Sequence, residues 1–317
     1  ALGGGEARRL LSVGTGVANY SLSPDGQQVA VVSTEPLDAS LQELRDKGFD
    51  QIIFEEDWRP RKLWVGDLQV ESMEQIDLDG SVQRVPWSPD GSRLAVVVTP
   101  RQLVDDTLMF QRIRMITPEG DEIGRIENPG KLGRSAWSPD GQYFAFIATD
   151  VLRDTREGRL MVAGRDGGEF TNLLPDLLGH VWYVDWASPD QVVFISYEGV
   201  ESRVGGISPD GSNESTLVAT EGLIFNGLSA SPSGSMALRA HTSEHPAELF
   251  VAEIDGEALT RLSFSNRWLD EVELGEQTVV RYPAADGLEI EGLLVWPLDY
   301  REGRRYPLIV AAHGGPE

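Results

Sequence analysis

The sequence predicts a mainly β chain, in which a multi-bladed β-propeller is followed by the first strands of a second, α/β domain. Two interleaved series of turn motifs carry the propeller prediction. The first is Ser-Pro-Asp-Gly with two degenerate copies, at residues 23–26, 88–91, 138–141, 188–190 and 231–234. The second ends in glycine, at Gly120, Gly167, Gly211 and Gly256. After a first interval of 65 residues, both series recur every 43 to 50 residues, and short strands repeated at such a period are typical of a propeller.

Each Ser-Pro-Asp-Gly motif has the residue types of a tight turn between two strands. Proline presets φ at the second turn position, the aspartate side chain accepts nearby backbone hydrogen bonds, and glycine tolerates positive φ. Strand-forming runs follow the turns, and the alanines in them indicate a close neighbouring sheet: Ala30, Ala95, Ala145 and Ala237. Tryptophans precede three of the turns, and we interpret them as packing residues between blades: Trp87, Trp137 and Trp186.

These repeats define five blades between about residues 16 and 264, within a propeller domain predicted to span residues 1–275. Residues 5–11 are interpreted as one further strand, which either closes the ring or ends another blade. The total number of blades is not fixed by the sequence, and seven blades in the intact protein are one possibility. The long first interval contains an insertion at residues 37–58. Its residues 38–48 have the pattern of a short helix, with Asp38 or Ser40 as cap and an i,i+4 pair of Glu43 and Lys47.

The pattern changes after about residue 267. Two strand-like runs flank Asp286-Gly287, which is a hairpin signal. Residues 306–312 form a continuous apolar run of the kind that is buried on both faces of an α/β sheet. This run leads into His313-Gly314-Gly315-Pro316, and we expect the chain to be truncated after that loop. Residues 276–317 are thus predicted to be the beginning of a second domain.

Composition and charge exclude several classes of function. The chain has 51 acidic residues, 27 lysines and arginines and a formal net charge of −24, which argues against nucleic-acid binding. Without cysteine it has no disulfide, thiolate metal site or thiol nucleophile. His180, His241 and His245 lack carboxylate partners at metal-ligand spacing, so we expect no metal and no other cofactor. Because the sequence has neither a membrane-spanning apolar stretch nor a signal-peptide pattern, we expect a cytoplasmic protein with no membrane partner.

The C-terminal motif becomes specific when it is combined with the propeller. A strand that runs into His-Gly-Gly-Pro resembles the loop after the third strand of an α/β-hydrolase. The blade turns, Asp-Gly-x-x-Ile-x-Gly at residues 286–292 and Tyr-Pro-Leu-Ile-Val-x-x-His-Gly-Gly-Pro at residues 306–316 together resemble the prolyl oligopeptidase family of serine peptidases. The acylaminoacyl-peptidase and dipeptidyl-aminopeptidase-like branch is the most similar. The resemblance implies that residues 276–317 begin an α/β-hydrolase domain.

The resemblance also implies a triad in the chain order serine, aspartate, histidine, with the serine on a Gly-x-Ser-x-Gly elbow. This sequence contains no such elbow. We therefore expect the triad in a remaining α/β-hydrolase segment, in the same protein or on a second chain, and we expect this chain alone to be inactive. The backbone N–H groups of Gly314 and Gly315 are the candidate oxyanion-hole donors, and His313 is interpreted as a residue that holds their loop.

Glu55 and Glu56 are the candidate substrate-binding residues. The resemblance implies paired glutamates that project from the propeller and bind the amino terminus of a peptide. The alternative interpretation is that both glutamates belong to a solvated acidic insertion and bind nothing. The predicted function is hydrolysis of short peptides by a serine peptidase whose propeller restricts access. The alternative is a non-catalytic propeller that serves as a binding or scaffold protein. Formation of homo-oligomers is left open.

Overall fold

The computed structural model describes residues 9–56, 58–254, 256 and 258–312. These residues form five four-stranded sheets, here called blades 1 to 5, and one two-stranded hairpin. In every blade, strands that are consecutive in sequence are hydrogen-bonded antiparallel neighbours. The predicted mainly β propeller fold is confirmed, together with the five blades that the turn motifs define.

Blade 1 consists of β1 (Val17–Leu22), β2 (Gln28–Thr34), β3 (Arg61–Asp67) and β4 (Ser72–Ile76). Blade 2 consists of β5 (Ser81–Arg84), β6 (Leu94–Thr99), β7 (Arg112–Ile116) and β8 (Glu122–Ile126). Blade 3 consists of β9 (Leu132–Trp137), β10 (Tyr143–Ala148), β11 (Arg159–Gly164) and β12 (Phe170–Asn172). Blade 4 consists of β13 (His180–Ser188), β14 (Gln191–Glu198), β15 (Glu201–Ile207) and β16 (Ser215–Val218). Blade 5 consists of β17 (Ile224–Ala230), β18 (Ser235–His241), β19 (Glu248–Glu253) and β20 (Leu259–Arg261).

The Ser-Pro-Asp-Gly turns join the first strand of a blade to the second. In blade 3, Ser138 Oγ donates to Asp140 Oδ1 at 2.6 Å and accepts from the backbone N–H of Tyr143 at 2.9 Å. Gly141 closes the turn through its N–H on the Ser138 carbonyl and has a φ of +68°, which glycine adopts without strain. The same three bonds recur at Ser23 and Ser88. The three serines therefore occupy equivalent points of successive blades, as predicted.

Four apolar cores lie between successive blades, because the side chains of a strand alternate between the two faces of its sheet. The alanines Ala30, Ala95 and Ala145 are fully buried in the cores that follow blades 1, 2 and 3. The predicted close approach is thus confirmed at these three positions. Ala237 differs and is exposed, because among the described residues no further sheet packs on its face of blade 5.

The three tryptophans before the turns connect each blade to the one before it. All three are buried, which confirms their interpretation as packing residues. Their indole N–H groups donate to backbone carbonyls of the preceding blade: Trp87 to Ser21 at 3.0 Å, Trp137 to Pro86 at 3.4 Å and Trp186 to Ala136 at 3.1 Å. Each indole thus combines apolar burial with one directional bond that sets the spacing of two sheets.

The meander order divides the connections between two rims. The Ser-Pro-Asp-Gly turns and the glycine turns between third and fourth strands lie at one rim. The connections from second to third strands, and from one blade to the next, lie at the opposite rim, here called the insertion rim. It carries the 37–58 insertion between β2 and β3 and a short helix α2 (Val104–Met109) between β6 and β7.

The insertion begins with helix α1 (Ala39–Asp46), close to its predicted bounds. Asp38 caps the helix by accepting from the backbone N–H of Ser40 at 2.8 Å. Glu43 and Lys47 form the expected i,i+4 pair at 3.9 Å, and Gly48 follows with a φ of +90°. Short-range sequence signals were sufficient here because capping and i,i+4 pairing depend only on residues within the same helix.

A 3-10 helix (Arg267–Glu271) separates the blades from the hairpin of β21 (Gln277–Pro283) and β22 (Glu289–Val295). The hairpin turns at Asp286-Gly287, as predicted. Residues 306–312 differ from the predicted buried strand. They join no sheet, and Ile309 is 91% exposed, because within the described residues no strand lies beside them to accept and donate backbone hydrogen bonds. None of the helices in the described ranges has the length and apolarity needed to span a membrane.

Candidate functional site

The predicted oxyanion loop, His313, Gly314 and Gly315, lies outside the described residues. The roles assigned to its backbone N–H groups therefore stay predictions. The preceding hairpin does show how this part of the chain is attached to the blades. Glu291 of β22 accepts a hydrogen bond from the backbone N–H of Val200 at 3.1 Å. Val200 lies between β14 and β15, so the hairpin contacts blade 4 at the insertion rim.

Charge holds this contact in place. Arg281 of β21 donates to the other oxygen of the Glu291 carboxylate at 2.7 Å. This hydrogen bond and the one from Val200 lower the pKa of Glu291, because both stabilise the ionised carboxylate. A side chain at Gly199 would overlap the Glu291 carboxylate, and Gly199 has a φ of +63°. The close approach therefore requires glycine at this position.

Glu55 and Glu56 lie in the insertion and are both exposed. Their neighbour Asp57 lies outside the described residues. Glu55 is close enough to Arg101, between β6 and β7, to help raise its pKa, although the main cause is hydrogen bonding of Arg101 to Asp106. The candidate substrate-binding glutamates thus share the insertion rim with the hairpin contact.

A cavity of about 600 Å³ lies among the first strands of blades 2, 3 and 4, with further walls from insertion-rim connections. The first strand of blade 3 contacts the first strand of blade 4, and Arg84 of β5 donates to the Gly133 carbonyl of β9. In a propeller, the first strands of the blades surround the central channel. The cavity is unusual for an acidic protein because several of its lining residues are basic: Arg84, Lys131, Arg134, Arg156 and His180. The sequence-based expectations did not include this site.

The repeat itself contained a signal for the two central cations. Arg84 and Arg134 each stand three residues before a packing tryptophan, Trp87 and Trp137. They therefore occupy equivalent positions of β5 and β9, on neighbouring blades. Aligning the repeats on their tryptophans would have predicted that the two arginines lie side by side. The net charge of the chain could not have predicted a positively charged site, because it is strongly negative.

Burial and neighbouring charges shift the pKa values of two basic groups in this cavity. Burial, and secondarily the Arg134 guanidinium, lowers the pKa of Arg84. Burial also lowers the pKa of His180, an effect that Glu157 opposes and Lys131 reinforces. His180 Nδ1 accepts from the backbone N–H of Gly158 at 2.9 Å, so a neutral ring carries its proton on Nε2. The cavity therefore offers hydrogen-bond donors and positive charge.

Metal-binding geometry is absent from the part of the chain that the structure describes: no three histidine, aspartate or glutamate side chains there are grouped to hold an ion. His180 faces a set of cations in the cavity, which would repel a metal ion. His241 interacts with Asn226 and His245 with the Pro246 carbonyl. These contacts are those of ordinary structural side chains.

Comparisons with known proteins find similar solved structures but no match by sequence. No protein-family model matches the sequence, and no curated protein matches it. The chain is similar to the acylaminoacyl peptidase of Pyrococcus horikoshii, with 16% identity and a TM-score of 0.70 over 95% of this chain and 46% of that one. It is similar to dipeptidyl peptidase 4 of Porphyromonas gingivalis, with 15% identity and a TM-score of 0.61 over 91% and 43%.

A third similar structure is a TolB-type protein of Agrobacterium tumefaciens, with 17% identity and a TM-score of 0.50 over 90% of this chain and 92% of that one. The chain thus spans less than half the length of the two peptidases but most of the TolB-type protein. At these identities the likeness concerns the fold. The chain has the β-propeller fold that is also found in acylaminoacyl peptidase and dipeptidyl peptidase 4.

Proposed function

We propose that this chain is the propeller and oxyanion-loop portion of a serine peptidase that hydrolyses short peptides. The hairpin contact carries the proposal. The bond between Glu291 and Val200 attaches the segment before the His-Gly-Gly-Pro motif to the insertion rim. That rim also carries the acidic insertion and contributes to the cationic cavity. The fold shared with two peptidase propellers and the sequence motifs at residues 286–292 and 306–316 support the same function.

The proposed chemistry is acyl transfer. A serine from outside residues 1–317 attacks the peptide carbonyl carbon through its Oγ, and its proton passes to the triad histidine. The oxygen of the tetrahedral intermediate then carries negative charge and accepts hydrogen bonds from backbone N–H groups of Gly314 and Gly315. Collapse of the intermediate breaks the C–N bond, the histidine protonates the leaving amine, and water hydrolyses the acyl-enzyme ester. One such donor contributes about 3 kcal/mol to stabilising the transition state.

The propeller would select the substrate by size and charge. Glu55 and Glu56 would bind the ammonium group of a peptide at the insertion rim, and the ring of blades would exclude folded proteins. Because both glutamates are exposed, an ion pair there contributes at most about 1 kcal/mol before a substrate covers it. A cytoplasmic location belongs to this proposal as well.

One observation favours a second function. The TolB-type protein is covered over 92% of its length by this chain, so this fold also occurs in a protein of about the same length as this chain. A non-catalytic binding or scaffold protein is the corresponding alternative. The two functions differ in whether the gene product contains a reactive serine, which can be measured directly.

The experiment compares chain 1–317 with the product of the gene that includes any sequence after residue 317. We expect the longer product to react with a fluorophosphonate probe and to hydrolyse short peptide amides, and chain 1–317 to do neither. Absence of both reactions in the longer product would favour the scaffold function. Labelling of chain 1–317 would show that the nucleophile lies within it and would contradict the proposed location of the triad.

A further inference from the structure

The two central cations of the cavity lack the partners that the other cavity cations have. Lys131 forms an ion pair with Asp154. Arg156 forms a bidentate ion pair with Asp150, with hydrogen bonds of 2.8 and 3.1 Å. Among the described residues, no carboxylate oxygen lies within 4 Å of the guanidinium of Arg84 or Arg134.

The geometry holds both guanidinium groups in place without neutralising them. Arg84 Nη2 donates to the Gly133 carbonyl of the next blade at 2.7 Å. Arg134 lies over the ring of Tyr183, with its guanidinium carbon 4.2 Å from the ring centroid. Carbonyl and ring contacts orient an arginine but leave its charge uncompensated. Two neighbouring cations, one of them partly buried, therefore form a preorganised site for an anion.

Other cavity residues restrict which anion fits. The Oε1 of Gln111 is buried and has no hydrogen-bond partner in the described part of the chain, whereas its Nε2 donates to the Thr107 carbonyl. Gln111 therefore offers a lone acceptor that needs an N–H or O–H donor. The wall beyond the cations includes Trp182, a residue that is 45% exposed. Its ring stacks on Tyr197 with centroids 6.1 Å apart. The site thus combines positive charge, one acceptor and an aromatic surface.

We propose that this cavity binds the C-terminal residue of a peptide. Its carboxylate would pair with Arg84 and Arg134, its backbone N–H would donate to Gln111 Oε1, and an apolar side chain would lie on Trp182. A free phosphate would satisfy the arginines but would supply no comparable N–H donor or apolar group, so the combination favours a peptide. The inference rests on the proposed function only in taking peptides as the ligands that the propeller meets.

The test is a calorimetric binding experiment on chain 1–317 and requires no catalysis. The probe is N-acetyl-Ala-Ala-Phe, compared with the same peptide as a C-terminal carboxamide. Charge-assisted hydrogen bonds to a carboxylate predict that the free acid binds at least about tenfold more tightly than the amide. Equal affinities for acid and amide would overturn the proposal.

Variants separate the roles of the residues. Arg134→Gln should weaken binding of the acid about tenfold and leave the amide unchanged. Gln111→Leu should weaken acid and amide alike, since both peptides have the same N–H. The matched control is Arg239→Gln, which removes an exposed arginine hydrogen-bonded to Asn226 in blade 5 and should change neither affinity. Arg134 is exposed, so its substitution keeps the Arg84–Gly133 bond and the fold.

Two further outcomes are decisive. If competition titrations show that the cavity binds inorganic phosphate more tightly than it binds the peptide acid, the cavity is a phosphate site and the proposal fails. If Arg134→Gln binds the acid normally in a folded protein, the cations do not recognise the carboxylate and the proposal also fails. Fluorophosphonate labelling of the longer gene product is independent of either result, so failure of this inference and failure of the peptidase function are distinguishable.

Discussion

Glu291 accepts a hydrogen bond from the backbone N–H of Val200, which ties the hairpin that follows the propeller to blade 4. The two residues are 91 positions apart in the sequence. Arg281 holds the same carboxylate from within the hairpin. One acidic side chain thus connects a local element to the insertion rim, and several consequences of the architecture can be measured.

Replacing Glu291 by glutamine should loosen the hairpin without unfolding the blades. The substitution removes the charge that Arg281 and the Val200 N–H stabilise, while the size of the side chain is kept. We expect faster hydrogen exchange of amides in β21 and β22 and unchanged exchange in β6 and β10. The control is Glu289→Gln in the same strand, where the side chain is exposed. Unchanged hairpin exchange in Glu291→Gln would show that the contact does not hold the hairpin.

Trp186 should contribute to stability in two separable ways. Trp186→Phe keeps most of the buried surface but leaves the Ala136 carbonyl without its indole partner, which costs about 1 kcal/mol. Trp186→Ala also removes apolar contacts between blades 3 and 4 and should cost about 3–5 kcal/mol. Urea unfolding measures both. The control is Trp268→Phe, whose native side chain is 64% exposed and whose effect should stay within about 0.5 kcal/mol.

The Ser-Pro-Asp-Gly turns should depend on their serine. Ser138 is fully buried, and Ser138→Ala leaves the Tyr143 N–H without the acceptor that it has in the native turn. We expect a loss of about 1–3 kcal/mol in the free energy of unfolding. Ser233→Ala is the matched control in blade 5, where the serine is exposed. Equal effects of the two substitutions would contradict the role assigned to the buried hydroxyl.

The stability of blade 5 should depend on pH through Glu248. Hydrogen bonds from Ser263 and Ser265, together with Arg261, lower the pKa of this buried carboxyl from 4.5 to about 2. A lowered pKa in the folded state means that the ionised group stabilises the fold above about pH 4.5. That contribution is lost as the pH falls toward 2. The stability advantage of the native chain over Glu248→Gln should therefore be larger at pH 7 than at pH 3.

Denaturant unfolding of both proteins at the two pH values checks this expectation. Glu244→Gln is the control, because Glu244 is an exposed residue near Glu248 in sequence. Its difference from the native chain should stay small at both pH values. An advantage over Glu248→Gln that does not change with pH would mean that ionisation of Glu248 is not coupled to folding.

Substrate selection by the insertion can be measured in the longer gene product. Because Glu55 and Glu56 are exposed, replacing both by glutamine should lower kcat/KM for free-amine peptides by no more than about fivefold, equivalent to about 1 kcal/mol. N-acylated peptides should be unaffected, since they carry no ammonium group. A loss above about 30-fold for the free amines would mean that the substrate buries the pair. An unchanged ratio of the two rates would identify the glutamates as a solvated surface.

The sequence by itself determined the features that depend on short-range interactions. The turns at Ser23, Ser88 and Ser138, the helix cap at Asp38 and the hairpin at Asp286-Gly287 each rest on residues within a few positions. Repetition of the turns then indicated the propeller, because identical four-stranded units can bury their faces only against one another. The candidate glutamates were also identified from sequence, but through a family resemblance and not from their environment.

Only the tertiary structure decided which distant residues meet. Arg84 and Arg134 are 50 positions apart and become neighbours because blades 2 and 3 meet where Arg84 of β5 donates to the Gly133 carbonyl of β9. The exposure of Ala237 and the lack of a strand at residues 306–312 follow from the absence of packed neighbours within the described structure. The burial of a side chain, the pairing of a strand and the charge around a group all depend on residues that are distant in sequence. Sequence patterns predict such neighbours only where the repeat brings equivalent positions of two blades together.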